Sequence, residues 1–576
     1  MFQCEKCPYA TKRSNDLKKH EKNVHQKTKT EKKVKCDFCE FTSNHRGVLN
    51  RHLKTCNPEP SLATKYRKLG KLNLDLNINK KNEKAEEKKV FNEKDVIKLV
   101  DDCNGSIREI RKVIKWMRNK FGRKFFTPHI NEIIKKHVNS LSHLHESEIE
   151  TFHDKNGDPI ETVISKVTDV NLFVNEIASI RNLKNPELIL GADGGQDKCI
   201  ITAIIKDEDN ENLSDENENQ IDFKPTGSKR VLVLAKADSI PENRYNIEVL
   251  WNSLNLNDVQ LDFQLVCDLK LTNIILGIQS CTSLYACPFC DSCKENSVTK
   301  KPTNGRGRWR DNGSLRTCNT ISDNQSEWEI ETNSNRSLLK NYKSCEFKPL
   351  KFKMCQYDTA VLFLLPPDPL HVNYLGPVND VFDLLEENFP NELKTFYEKY
   401  HLKKSGQGPG GKFHGPSIKQ ILREDCLNNL LTIIPTEAKQ FTDYLRSIRE
   451  LHKVCTSSEL NEYKNVLHDF RKNFDYLYDN FNLNMTLKIH VIFHHYEDYF
   501  DMTGKTMKYT NGEFVESCHH TIRQEEESHN FKVVRKVGSQ AHKQKSLQSH
   551  VWHNSLRAGK VPAEEMRIRR KSSNPK

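Results

Sequence analysis

Two cysteine–histidine units open the chain, and their spacing leaves the first 56 residues little freedom. Cys4-x2-Cys7-x12-His20-x4-His25 is followed by Cys36-x2-Cys39-x12-His52-x3-Cys56. A tight knuckle presents two thiolates, a helix presents two further ligands about one turn apart, and the four close a tetrahedron around Zn²⁺. Leu17 and Leu49 each lie three residues before the first His of their unit, where a small finger core needs an apolar side chain. Residues 1–56 are therefore expected to form tandem ββα zinc fingers. Arg13, Asp16 and Lys19 in the first unit, and His45, Val48 and Arg51 in the second, occupy the helix positions that face base edges. The ten residues between His25 and Cys36 exceed the usual finger linker, so protein recognition stays open beside DNA binding.

Charge divides the chain unevenly. Residues 1–140 carry 35 Lys/Arg against 17 Asp/Glu, a net of +18, and residues 141–576 carry 55 against 61, a net of −6. A basic first quarter on a near-neutral body predicts a polyanion-binding part, with double-stranded DNA the leading partner, beside a separate compact part. Arg111, Lys112, Lys115, Arg118, Lys120, Arg123 and Lys124 fall within 14 residues that hold no acid. Such density on a helix suits phosphate contacts, although a solvated face is the ordinary explanation of a charge run. No window approaches 18 uncharged apolar residues, and Met-Phe-Gln-Cys-Glu-Lys lacks an apolar h-region, so neither a membrane span nor a secretory signal is expected. Eighteen cysteines in such a chain point to metal ligands or free thiols rather than disulfides.

Composition suggests the boundaries. Residues 57–90 read as a flexible polar linker and 91–150 as a basic helical segment. From 186 the pattern changes to β-branched runs at Leu188–Leu190, Cys199–Ile205 and Val231–Ala235, with seven acids between 207 and 218 marking an exposed loop. A helix over Asn243–Leu254, a strand Asp262–Cys267 and a helix Leu269–Ser280 complete an α/β domain on a mixed sheet. Most of the chain after 340 reads helical (377–390, 392–399, 417–432, 436–455, 457–480, 485–500), and the last twenty residues read as a basic tail.

Three acids stand out. Asp193 follows the apolar run Leu188-Ile-Leu-Gly-Ala and precedes Gly-Gly, and Asp268 ends Phe263-Gln-Leu-Val-Cys and begins a helix. Strand ends are where ligands and catalytic groups gather in such sheets. Two carboxylates there could hold paired Mg²⁺ ions for in-line displacement at phosphorus. Asp268 is equally well placed to be an N-cap. Cys287-x2-Cys290 and the distant His490-x4-His495 could share one structural zinc, with Cys293 and His494 as competing ligands.

Asp193-Gly-Gly, then strand–Asp268–helix, then Cys287-x2-Cys290, a long helical stretch, His490-x4-His495 and Glu516-Ser517 together resemble the catalytic core of Transib transposases, the group that includes the catalytic subunit of the vertebrate V(D)J recombinase. Asp368-Pro-Leu-His371-Val-Asn-Tyr-Leu-Gly-Pro-Val-Asn and Phe121-Gly-Arg-Lys-Phe-Phe-Thr-Pro-His-Ile are similar to further segments of that family. The resemblance covers roughly 105–555 and leaves the fingers outside it. It implies an α/β RNase H-like core, first part 186–300, interrupted by a large all-α insertion over 301–500. It further implies a zinc joining Cys287, Cys290, His490 and His495, a catalytic helix and basic stretch over 501–555, and a tail from 556. It gives Asp193, Asp268 and Glu516 the role of holding two Mg²⁺ or Mn²⁺ ions, and it gives 91–150 dimerisation and DNA contact. The implied activity is nuclear: nicking and joining DNA at element ends as a homodimer, with an accessory subunit in some members.

Glu513 competes with Glu516 for the third position, and Asp197 with Asp193 for the first. A chain that kept the fold but acts as a zinc-finger DNA-binding regulator is the alternative reading. A zinc-finger factor with an unrelated helical body would not account for the order of acids, cysteines and histidines.

Overall fold

A computed structural model describes four two-residue strands between Phe2 and Ser43, and residues 140–558 apart from 182, 195–197, 208–230, 297, 304, 311–312, 352–357, 405–410, 458–459, 509, 511 and 530–537. The chain divides into two compact units, Met1–Lys88 and Lys89–Lys576. In the first, β1 (Phe2–Gln3) pairs antiparallel with β2 (Ala10–Thr11), and β3 (Val34–Lys35) with β4 (Thr42–Ser43). These hairpins bracket the two Cys-x2-Cys pairs, as the strand halves of ββα units would. Cys4, Cys7, His20, His25, Cys36, Cys39, His52 and Cys56, and the basic residues Arg13, Lys19, Arg51, Arg111, Lys112, Lys115 and Arg118, lie outside the described residues.

The second unit is built on a six-stranded mixed sheet. Its elements are β5 (His145–His153), β6 (Pro159–Val167), α1 (Val170–Arg181), β7 (Pro186–Asp193), β8 (Lys198–Asp207), β9 (Leu232–Asp238), α2 (Arg244–Ser253), β10 (Phe263–Val266) and α3 (Leu269–Leu276). The spatial order is β10-β7-β8-β9-β6-β5, and only β10 and β7 run parallel. Both faces of the central strands are covered, which is why their sequences read as unbroken apolar runs rather than alternating ones. Leu188, Leu190 and Ala192 of β7 join the main core, while Ile189 faces a second cluster with Ile200, Ile204, Val231, Val233 and Val266.

The sheet starts earlier than the sequence suggested. Residues 145–150 belong to β5, not to the helical segment 91–150, and the β5–β6 hairpin with α1 precedes the expected start at 186. β5 holds only Ile149 and Thr151 as β-branched residues, but β6 holds Ile160, Thr162, Val163, Ile164 and Val167, so the hairpin carries a strand signal that a start at 186 leaves out. α3 stops at Leu276 instead of Ser280, since Gly277 adopts φ +73° and caps it. The boundary at 300 falls inside a small antiparallel pair, β11 (Lys294–Glu295) with β12 (Arg308–Trp309).

The helical part comprises α4 (Cys318–Thr332), α5 (Pro377–Asn388), α6 (Pro390–Tyr400), α7 (Gly415–Ile421), α8 (Glu424–Ile433), α9 (Lys439–Thr456), α10 (Tyr463–Phe481), α11 (Leu487–His490) and α12 (Tyr496–Thr503). The helix expected over 417–432 is two helices, α7 and α8. The chain then returns to the sheet with α13 (Glu513–His529) and α14 (Gln540–Ala558). No helix among the described residues is long and apolar enough to cross a membrane.

α13 supplies Phe514, Val515, Cys518 and Ile522 to the second cluster. Its close approach needs Gly191: a Cβ there would stand 2.5 Å from Val515 Cγ2 and 2.7 Å from Phe514 Cε2. α14 solves a different problem. β6 pairs with β9 only over residues 235–237 of β9, leaving the backbone near Val231 and Val233 without strand partners on that side. Asn554 accepts from Val233 N at 2.8 Å and donates to Val233 O at 2.7 Å, and His553 Nε2 meets Val231 O at 3.1 Å. Buried backbone groups must be paired, so the buried face of α14 is polar.

His145 is part of this seam. Its Nδ1 donates to Leu141 O at 2.7 Å, and its Nε2 accepts from Asn554 Nδ2 at 2.8 Å, which fixes the neutral ring. Burial pushes its pKa down to about 4. As pH falls through about 6.5 the unfolded chain takes up a proton that the folded chain refuses until about pH 4, so stability is lost across that window. The expected loss from this residue is on the order of 3 kcal/mol. Denaturant unfolding between pH 7 and pH 4 should show a steeper decline for the parent than for His145→Gln. Parallel declines would remove His145 from the explanation.

Candidate metal centre and acidic site

Cys287 and Cys290 sit in a knuckle just after α3, two hundred residues from their histidine partners. An α-helix turns every 3.6 residues, so side chains five apart diverge. The chain answers with a π-helix over Val491–His495, whose i→i+5 bonding aligns residues five apart and brings His490 and His495 onto one side. Cys287 Sγ lies 3.4 Å from His495 Nε2, Cys290 Sγ 3.3 Å from His490 Nε2, and the two Nε2 atoms 3.2 Å apart. All four residues are buried, and their ligand atoms lie within 4.8 Å of one another. This cluster could hold a metal ion, and its two thiolates and two imidazoles match the donor set of tetrahedral structural zinc.

The surroundings orient the ligands. Trp309 stacks on His490 with centroids 4.2 Å apart, and His495 Nδ1 faces Asp498 Oδ2 at 3.5 Å. Buried Arg316 donates to Cys290 O at 2.8 Å and reaches Cys345 Sγ at 3.2 Å. The Cys287 hydrogen bond, helped by His490 and His495, holds the Cys290 thiol well below its ordinary range. Cys293 and His494, the competing candidates, stay outside the cluster. The described cysteines are all free thiols, in keeping with the ligand-or-thiol expectation.

The acids meet at one end of the sheet. β10 pairs with β7 through Val266↔Gly191, so Asp268 and Asp193 each lie two residues beyond the last pair, at the carboxyl ends of neighbouring parallel strands. Asp268 does cap α3, with Oδ1 accepting from Leu271 N at 2.7 Å, and Oδ2 has no hydrogen-bond partner among the described residues. Glu516 projects from the first turn of α13 and stands 3.4 Å from His371 Nε2. One turn further along, His519 Nε2 lies 3.0 Å from Asp193 Oδ2. Glu513 points elsewhere and pairs with Lys419 at 2.6 Å, so of the two candidates only Glu516 joins this group. Asp197 lies outside the described residues.

Five more residues complete the site: Glu242, Lys270 and His519, which the sequence reading did not single out, and Asp368 and His371, which entered it only within a family-like segment. Glu242 sits over the turn at Gly194, where an added Cβ would be 2.6 Å from its own Cβ, and it pairs with Lys270. Burial, reinforced by the charges of Asp268 and Asp193, raises the Glu242 carboxyl despite Lys270. His371 is held by Asp368, Nδ1 to Oδ2 at 2.5 Å. Although burial opposes it, Asp368, Glu516 and Asp268 raise His371 to about 10. Burial would raise Asp193 too, but His519 and then His371 hold its carboxyl below the usual range. His519 could have been found from sequence, three residues after Glu516 on one helical face. Glu242 offered only its place just before the helix that follows β9.

Asp368 also fixes the angle of α13. It is buried, and its Oδ1 accepts from Gly512 N at 2.7 Å, one residue before that helix, and from Leu370 N at 2.9 Å. A single carboxylate thus ties the π-helix carrying His371 (Leu370–Leu375) to the helix carrying Glu516. Among the described residues only the Cys287 cluster gathers three or more metal-binding side chains within 4.8 Å. The acids are spread more widely, and Asp193 and Glu516 each face an imidazole instead.

No protein-family model matches the chain, and no curated protein matches it.

If the buried cluster takes zinc, deleting residues 1–60 should leave one tightly held ion per chain, read by elemental analysis of purified protein. Cys290→Ser in the truncated chain should remove that ion and lower the unfolding temperature, since truncating a ligand removes binding energy that is also folding energy. A truncated parent free of metal, with unchanged melting after chelation, would overturn the site.

Proposed function

We propose that the chain is a DNA strand-cleaving and strand-joining enzyme with an RNase H-like core, of the kind seen in DDE transposases and recombinases. The observation that supports this most is the convergence of Asp193, Asp268 and Glu516, from three separate parts of the chain, on the carboxyl end of two parallel strands. The order β9-β8-β7-β10, with three antiparallel strands followed by a parallel one, agrees with that core.

The residues fit a pair of divalent cations. Asp268 keeps one oxygen without a partner among the described residues, Glu516 is half exposed, and burial, reinforced by the charges of Asp268 and Asp193, raises Glu242, so cations arriving here would relieve a crowded set of acids. Mg²⁺ or Mn²⁺, when bound, would lower the pKa of an attacking water or 3′-hydroxyl and polarise the phosphodiester for in-line displacement. Asp193, Asp268 and Glu516 would hold the ions, with Glu242 beside them. Lys270, His371 and His519 orient these carboxylates and limit their repulsion before a phosphate enters. The Cys287 cluster would hold structural zinc and fix the helical part to the core. The basic first quarter would supply affinity for duplex DNA, and the protein would work in the nucleus as a homodimer.

Two experiments test this. Asp268→Asn should abolish Mg²⁺- or Mn²⁺-dependent nicking of duplex DNA carrying the flanking repeats of the source genome. Binding should persist, because the change removes charge and keeps shape. Equal nicking by variant and parent would sink the assignment. Removing residues 1–140 should flatten the slope of log affinity against log salt by roughly 4–5 units if about five phosphate contacts are lost. Neutralising Arg111, Lys112, Lys115 and Arg118 should reproduce a large part of that change. Coinciding slopes would move the fingers to protein recognition.

A further inference from the structure

The chain from Cys287 to Arg310 carries six Lys/Arg against two acids, Asp291 and Glu295, in a body whose net charge is negative. It leaves the Cys287 knuckle and folds into a small antiparallel meander. β11 pairs with β12 on one side, and Glu295 bridges to Pro302 on the other. Thr303 N donates to Lys294 O at 2.8 Å, and Arg310 N to Cys293 O at 3.2 Å. Gly307 lets the segments close up, since a Cβ there would stand 2.0 Å from Glu295 O. The base of the meander is fastened twice more. Trp309 stacks on His490 of the Cys287 cluster, while Arg306 donates to Tyr478 O at 2.9 Å and Arg308 meets Asp475 at 2.9 Å, both on α10.

The tip of the meander is held as firmly as its base. Asn296 N donates to Lys301 O and Asn296 O accepts from Lys300 N, both at 3.0 Å. Asn296 Oδ1 accepts from Val298 N at 3.0 Å and from Thr299 N at 2.9 Å. Lys300 adopts φ +55°, a left-handed conformation that glycine takes without strain, yet the chain keeps a lysine there. The side chains on this turn face outward. Val298 is 88% exposed, and Thr299, Lys300 and Lys301 are exposed beside it. Arg308 and Arg310 meet Asp475 and Glu295, whereas neither Lys300 nor Lys301 has a carboxylate partner among the described residues. Cations on a polyanion gain by releasing its counterions, and apolar wedges are set against base steps from the minor groove. An acidic protein surface would satisfy the two lysines and leave Val298 in water. A DNA groove takes all three.

We infer that this tip is a DNA-binding element that enters the minor groove of a duplex, with Lys300 and Lys301 on backbone phosphates and Val298 as an apolar wedge against the base steps. The choice of duplex DNA as occupant rests on the reading that the chain binds and cleaves DNA. The tip and the acids belong to one compact unit, so they would hold one duplex at two points. The knuckle then has a second task besides fixing the helical part: it gives the tip a rigid footing.

Full-length protein would be compared as parent, Lys300→Gln with Lys301→Gln, and Val298→Ser. The readouts are affinity for a duplex across a salt titration, bending of that duplex by energy transfer between its labelled ends, and the unfolding midpoint. All three proteins should share one midpoint, since the substituted side chains are exposed. The lysine pair should flatten the slope of log affinity against log salt by roughly 1.8 units, about 0.9 for each phosphate contact. Val298→Ser should keep the parent slope, because no charge is lost, yet weaken binding about fivefold and reduce the bend. Coinciding slopes for the lysine pair and the parent would overturn the element. A parent-like bend and affinity in Val298→Ser would overturn the wedge. Unchanged duplex binding by the lysine pair, with lost binding to polyglutamate, would overturn DNA as the occupant in favour of an acidic protein. The strand-cleaving reading fails separately. A flattened slope for the lysine pair, in a protein whose Asp268→Asn variant nicks as well as the parent, would defeat that reading and support the DNA-binding tip. Nicking that depends on Asp268, with coinciding slopes, would defeat the tip alone.

Discussion

The seating of α13 on the sheet is the constraint on which the acidic site depends. Glu516 is in its first turn, and helix geometry passes any tilt of the axis on to that carboxylate. Three different forces hold the axis. Phe514, Val515, Cys518 and Ile522 bury against Ile189, Ile200 and Val233, and Gly191 lets them do so at backbone distance. At the far end Glu526 meets Lys236 Nζ and Lys198 Nζ, both at 2.8 Å, within a network that also takes Asp238 and Ser549. At the near end Asp368 receives the Gly512 amide. Burying Lys236 is tolerable only because Glu526 and Ser549 satisfy it; removing the Glu526 carboxylate would leave an uncompensated charge. The helix is therefore fixed by packing in the middle and by charge at both ends.

The helical part depends on a second constraint, the meeting of Cys287 and Cys290 with His490 and His495. Without a shared metal, two thiols and two imidazoles at 3.2–3.4 Å would be a poor core, polar and partly unsatisfied. With a metal, the same atoms become a cross-link spanning two hundred residues. The π-helix at Val491–His495 is costly in regular hydrogen bonding and is explained by that convergence. A second π-helix, Leu370–Leu375, carries His371 toward Glu516. Both π-helices among the described residues thus occur where a histidine must be aimed.

Much of this was legible in sequence, for identifiable reasons. Asp193 and Asp268 could be read because apolar runs ending in an acid mark strand ends, and the register Val266↔Gly191 puts them side by side. The Cys/His set could be read from ligand chemistry, although only the fold could discard Cys293 and His494. Glu516 could not be separated from Glu513 by periodicity, since residues three apart share a face; Lys419 separates them by claiming Glu513. β5, at the sheet edge, holds few β-branched residues and gives a weak signal, whereas β6, with five in nine, was legible as a strand. Glu242 was not legible, and Asp368 was legible only as part of a family-like segment, because their roles come from residues distant in sequence: a carboxylate's task is set by which amide or which second carboxylate the fold brings to it.

That last point bears on the charge balance of the site. Asp193, Glu242, Asp268 and Glu516 bring up to four negative charges to one sheet end, where an incoming phosphodiester would add another. The chain offsets them locally through Lys270 on Glu242, His519 on Asp193, and His371 between Asp368 and Glu516. His371 is the sharpest case, because Asp368 is itself satisfied by two backbone amides as well as the imidazole. An ionised Asp368 so supported favours a protonated His371, and a protonated His371 draws Glu516 inward. The three side chains act as one chain of charge, minus–plus–minus, running from the buried clamp to the open acid. Cations arriving at the sheet end would therefore meet a Glu516 already held in place, and would have to compete with an imidazolium for it. Such an arrangement keeps the acids ordered by the chain's own charges, and any cation of the proposed pair would bind the more weakly for it.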